Sequence, residues 1–113
     1  MKRIQYKIRP HFLSLIRSSR KKHEYRLAKK DVQIGDTLVL ISNENDSDYV
    51  EAVVTSIAHY SNWKDALEKT WASDFEGLYD SLDKLIEECN SFYSEEEIAK
   101  YGINVFEFRL KSK

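Results

Sequence analysis

One cysteine in 113 residues rules out a disulfide within the chain, so noncovalent packing must hold the fold. A lone thiol also suits a reducing compartment, and we expect a cytoplasmic protein. Proline and glycine are equally scarce, at one and three residues. That scarcity excludes collagen-like repeats, Pro-rich linkers and a Gly-rich phosphate loop, because Gly35, Gly77 and Gly102 stand isolated. No apolar run approaches the ~18 residues that a membrane span requires. The basic start, Met1 to Lys7, has no apolar signal core. His11, His23 and His59 show no i, i+4 pairing and have one cysteine to join them, so we expect neither a metal nor a cofactor.

What is present describes one soluble domain spanning residues 1–113, with 42% apolar and 33% charged residues. The net charge of −1 hides an asymmetry. Residues 1–30 hold eleven lysines and arginines against one acid, Glu24, and the remainder holds seven against eighteen. A basic first quarter points to an anionic partner such as RNA phosphate. The alternative is that basic and acidic elements face each other in the fold and neutralise. Nothing signals DNA in particular, and no membrane partner is expected.

Periodicity predicts the elements. Residues 2–8 alternate, with Ile4, Tyr6 and Ile8 on one face of a strand. Pro10 opens a helix striped by Phe12, Leu13 and Ile16, which should end at Ser18-Ser19. His23 to Leu27 is a second strand, Thr37 to Ile41 an apolar third, and Tyr49 to Tyr60 a long fourth. Between the last two, Asn43 to Asp48 has hairpin-loop chemistry. Asn62 caps a helix, with Ala66 and Leu67 inward. Leu78, Leu82, Leu85, Ile86 and Cys89 keep helical spacing, which makes Cys89 a buried thiol. Ser94 and Glu97 form a capping box, Gly102 ends that helix, and Ile103 to Leu110 is the last strand.

The stretch Ser19 to Arg26 carries the chemistry. Side chains of an extended segment alternate faces, so Glu24 and Arg26 share one side while Tyr25 points to the other. Lys21, in the turn entering the strand, brings a second cation toward that side. This is either a polar cleft floor or a structural ion pair. Tyr60, Trp63 and Trp71 follow the long strand and offer aromatic faces for base stacking, or else pin the helices to the sheet.

Lys21-x-x-Glu24-x-Arg26, followed by Ile34-Gly35-Asp36 and closed by Tyr101 to Phe108, resembles the Gly-x-Lys-x-x-Glu-x-Arg signature of ASCH domains. Ser19 stands where that family usually has glycine. The resemblance implies an α+β, PUA-like, mostly antiparallel barrel of five or six strands. An N-terminal helix and a helical insert before the last strand would flank it. It further implies an RNA- or modified-nucleoside-binding module, with Lys21, Glu24, Arg26, Tyr60 and Trp63 as ligand contacts.

An enzyme is the alternative: an amidohydrolase of acetylated cytidine, or a ribonuclease, using Lys21 and Glu24 as catalytic groups. Relatives with that amidohydrolase activity carry threonine at the position of Glu24, and an insert acid, Asp74 or Glu76, would have to join the site. A third expectation is a regulatory module whose acidic helices bind a protein.

Overall fold

The computed structural model describes residues 1–111. Its elements are β1 (Arg3–Ile8), α1 (Pro10–Arg17), β2 (His23–Leu27), β3 (Thr37–Ser42), β4 (Tyr49–Tyr60), α2 (Trp63–Glu68), a π-helical turn (Trp71–Phe75), α3 (Leu82–Cys89), α4 (Glu95–Tyr101) and β5 (Ile103–Leu110). The fold is α+β, and its five strands form one mixed sheet in the order β1-β3-β4-β5-β2. β1 runs parallel to β3, with Ile4 opposite Leu38, and β3 runs antiparallel to β4, with Leu38 opposite Ala52. The parallel pair has a topological reason and is compatible with a mostly antiparallel sheet. β1 does not return to β3 through a hairpin; α1 and β2 intervene, and parallel neighbours need such a long connection.

The described chain divides into two compact units, residues 1–22, 32–57 and 107–111 in the first, residues 23–31 and 58–106 in the second. The first unit packs Leu13 and Ile16 of α1 with Ile4, Tyr6 and Ile8 of β1 and Leu38 and Leu40 of β3, all buried. β1 is a clean period-two strand, its odd residues exposed and its even ones buried. β3 is buried almost throughout, as its unbroken Leu-Val-Leu run requires.

α1 ends in a Schellman turn. The Ser19 N–H donates to the Ile16 carbonyl (3.0 Å) and the Arg20 N–H to the Leu15 carbonyl (2.8 Å). Ser19 takes the left-handed conformation that closes such a turn, at φ 63°. A side chain there costs about 1–2 kcal/mol relative to glycine. The serine therefore keeps the backbone that glycine would adopt and bears mild strain.

The second unit has its own core of Trp63, Ala66, Leu67, Phe75, Leu85, Cys89, Ile103 and Val105. α2 is capped by Asn62, whose side chain accepts the Asp65 N–H at 2.8 Å. α3 is capped by Ser81, and α4 by the Ser94–Glu97 capping box. Leu78 lies outside α3 and is exposed, so the apolar stripe of that helix begins at Leu82. Phe75 and the residues after it leave the π-helical turn through Glu76 and Gly77, whose φ of +88° breaks the helical period.

Candidate functional site

β2 is five residues long and carries His23, Glu24, Tyr25 and Arg26 in succession, none of them exposed. On one side of the strand, Glu24 is 4% exposed and its Oε2 accepts two bonds from Arg26. Nε donates at 3.0 Å and Nη2 at 2.7 Å. Charge-assisted bonds of this length hold both side chains in one geometry. The Arg26 side chain keeps 18% of its surface open against 6% for Glu24, so the arginine is the more accessible partner of the pair.

The other side of β2 meets the π-helical turn. Asp74 is wholly buried there, and its carboxylate collects donors. Oδ2 accepts the His23 backbone N–H at 3.0 Å and lies 3.2 Å from the Tyr25 hydroxyl. Oδ1 lies 3.1 Å from His23 Nδ1 and accepts the Ser73 hydroxyl at 3.0 Å. Against an ionised carboxylate, the proton of a neutral His23 sits on Nδ1. Tyr25 shares its hydroxyl with Thr70 at 2.5 Å. Burial, reinforced by the Asp74 charge, pushes the Tyr25 phenol far above its ordinary value.

A carboxylate offers about four acceptor positions, and around this one lie the His23 N–H and ring and two hydroxyls, those of Tyr25 and Ser73, whose single protons also face Thr70. A substrate's proton would have to compete with these contacts for Asp74. The arrangement therefore favours holding a shape over moving protons. Sequence reasoning named Asp74 only as one of two acids able to join a site, and missed His23 as its partner. One local signal existed: a lone acid, four residues after a threonine, set between Trp71 and Phe75.

The remaining expected residues fall as follows. Lys21 belongs to the first unit, is 4% exposed, and sets Nζ 5.9 Å from the centre of the Phe12 ring. Tyr60, the last residue of β4, is half-buried against the core of the second unit. Trp63 is 3% exposed, stacked on Tyr93 with ring centres 6.1 Å apart and met edge-on by Phe92. Its ring faces pack the core here. Trp71 also packs against that core, and Glu76 bridges to Tyr79.

Of the basic first quarter, Lys2 pairs with Asp36, Arg3 with Glu51, Lys7 with Asp46 and Arg17 with Asp48. A good part of the charge asymmetry is thus neutralised inside the first unit. Among the described residues no group of three His, Cys, Asp or Glu side chains is placed to hold a metal ion. Among them, too, no helix is long and apolar enough to cross a membrane.

The family model of the ASCH domain matches residues 7–112. Solved structures share the fold along nearly the whole chain. The hypothetical protein PH0355 is 25% identical with a TM-score of 0.82, and the match covers 98% of this chain and 100% of that one. Protein PF0455 from Pyrococcus furiosus is also 25% identical, with a TM-score of 0.71 and coverage of 98% and 99%. An ASCH domain from Lactobacillus crispatus, 16% identical, matches with a TM-score of 0.66 over 96% of this chain and 79% of its own. The sequence matches none of the curated proteins.

Proposed function

We propose a binding role for this chain, which belongs to the ASCH domain family: it recognises RNA or a modified nucleoside through Glu24 and Arg26 of β2. The observation that carries this reading is the buried Glu24 carboxylate joined by two bonds to an arginine whose side chain stays partly open. A nucleobase edge presents amines beside carbonyls and ring nitrogens, so it needs an acceptor next to a planar donor fork. Glu24 supplies the first and Arg26 the second. An ion pair kept only for stability gains little from burial, because desolvation offsets most of the attraction. Lys21 enters as a further cation through its place in the motif, and Tyr60 as an aromatic face. Trp63 is left out, since its rings already serve the core.

Two measurements test the proposal. Mass spectrometry of what the purified protein retains from total RNA and nucleoside pools identifies the ligand. Equilibrium binding of a single-stranded oligoribonucleotide then compares wild type with Glu24→Gln and Arg26→Lys. Each variant should weaken binding at least tenfold, since a bidentate donor and its acceptor do not tolerate these exchanges. Binding should also fall as salt rises, with a modest slope because several first-quarter cations are already paired. Retention of no nucleic acid or nucleoside, together with no binding at low salt, would reject the reading and leave a protein partner.

A further inference from the structure

We infer that Asp74 is a positioning residue: through His23 and Tyr25 it fixes where β2 presents Glu24 and Arg26. This rests on the binding role proposed above and names how its contact pair is held. The argument begins from β2 itself. It is short and lies at the end of the sheet, so its hydrogen-bonded neighbour on one side, β5, leaves its roll and axial position loosely determined. Apolar packing adds little precision, because the hydrophobic effect is non-directional. Directional bonds are needed, and Asp74 provides them to the residues on either side of Glu24. One bond goes to the His23 main chain, one to the His23 ring and one to the Tyr25 hydroxyl.

The turn that carries Asp74 points the same way. Its closing bond spans five residues, from the Glu76 N–H to the Trp71 carbonyl at 2.8 Å. An i→i+5 turn is rare beside a continued α-helix and is frequent at functional sites. Here it leaves Asp74 on the strand side while Phe75 remains in the core. Stability alone does not account for the choice. A wholly buried carboxylate is expensive, and well-packed apolar replacements of such groups are often neutral or stabilising. What an apolar residue cannot supply is an acceptor for the His23 N–H and an anchor for two side chains of the same strand face.

Asp74→Asn is the direct test, with Tyr25→Phe as a milder variant that keeps the ring and removes one donor. Two readouts need no ligand. Amide hydrogen exchange of residues 23–27 should rise at least tenfold in Asp74→Asn, while β3 and the start of β4 stay protected. The Arg26 Nε–H resonance, which reports its bond to Glu24, should shift in both variants. The third readout is oligoribonucleotide affinity in a double-mutant cycle. Asp74→Asn should weaken binding about as much as Glu24→Gln, and the double variant should bind no worse than either single one, because both changes act on one contact pair.

Unchanged exchange and an unmoved Nε–H signal would overturn the inference. So would affinity losses that simply multiply, since that marks an independent structural effect. Should Asp74→Asn fail to fold, the same outcomes are read from Tyr25→Phe. If wild type binds no RNA or nucleoside, the proposed function falls, while exchange and the Nε–H signal still decide whether Asp74 positions the pair.

Discussion

Each unit of the chain buries one aspartate, and the two are satisfied in different ways. Asp36, in the first unit, accepts the backbone N–H of Lys2 at 3.0 Å and of Gln33 at 2.9 Å, with the Lys2 ammonium 3.9 Å away. These bonds close a turn and tie down the start of β1. The Gln33 N–H, followed by that of Lys2, holds the Asp36 carboxyl below the usual carboxylate range. Asp74, in the second unit, gathers side chains as well as main chain, and its donors lie on the strand that carries Glu24 and Arg26. The first arrangement staples a backbone, whereas the second orients a surface. A buried acid is therefore informative less by its burial than by what its donors are attached to.

The largest effect expected lies in the second unit. Gly102 ends α4 at φ +74°, and a Cβ placed there would lie 2.5 Å from the His59 ring and 2.9 Å from the Tyr60 carbonyl oxygen. The His59 ring can move, but the carbonyl belongs to β4 and cannot. Gly102→Ala should lower stability by about 2–4 kcal/mol, combining left-handed strain with the backbone clash. Denaturant midpoints measure this, and adding His59→Ala should recover only part of the loss. Full recovery would mean that the ring, rather than the strand backbone, sets the constraint.

Next in size is a contrast in pH response. Because Asp36 is depressed in the folded state, its contribution is present above the unfolded carboxylate value and is lost as pH falls through the folded one. Tyr25 is raised, so in base the unfolded phenol ionises while the folded one does not. Unfolding then releases a proton, and stability falls as pH climbs past about 10, the ordinary phenol value. Melting curves across pH should show a shallower acid limb in Asp36→Asn and a shallower alkaline limb in Tyr25→Phe. Crossed or identical effects would mean that the acid and alkaline limbs do not report these two groups.

A smaller gain is expected at the turn after α1. Ser19→Gly relieves a left-handed serine and should raise stability by up to about 1 kcal/mol, part of the relief being offset by the greater freedom of glycine in the unfolded chain. A loss in the denaturant midpoint would mean that the serine side chain contributes more to this turn than its backbone strain removes.

How much of this was legible in the sequence follows from how local each feature is. The capping box of α4 and the cap of α2 each involve residues three apart, and both could be read directly. The side shared by Glu24 and Arg26 follows from strand alternation, and so does the burial of alternate residues in β1. The link from Asp74 to His23 joins residues 51 apart, and no periodicity reports such a pair. The π-helical turn was illegible for a related reason. It breaks the 3.6-residue period over a single turn, and its partners on β2 and in the core are distant in sequence. Trp63 shows the reverse ambiguity: an aromatic residue after a long strand suits a stacking platform and a core equally, and packing by Tyr93 and Phe92 decides between them. The parallel pairing of β1 with β3 depends on where a distant strand lands, which local patterns do not encode.

The smallest effect expected concerns an exposed charge, set against the two buried aspartates. Lys7 pairs with Asp46 at 2.5 Å, the two side chains 57% and 86% exposed, and the pair is the first unit's most open one among those described. Water and salt screen such a pair, and ordering two flexible side chains offsets much of the attraction. Lys7→Ala should therefore change stability by no more than about 0.5 kcal/mol. Denaturant midpoints at low and high salt provide the measurement, and any difference should shrink as salt rises. A loss above about 1 kcal/mol that persists in high salt would show that pairing in the first unit does more than neutralise the basic first quarter. In that event the paired cations of β1 and α1 would have to be counted as architecture, and the salt dependence expected under the proposed RNA binding would need a different source.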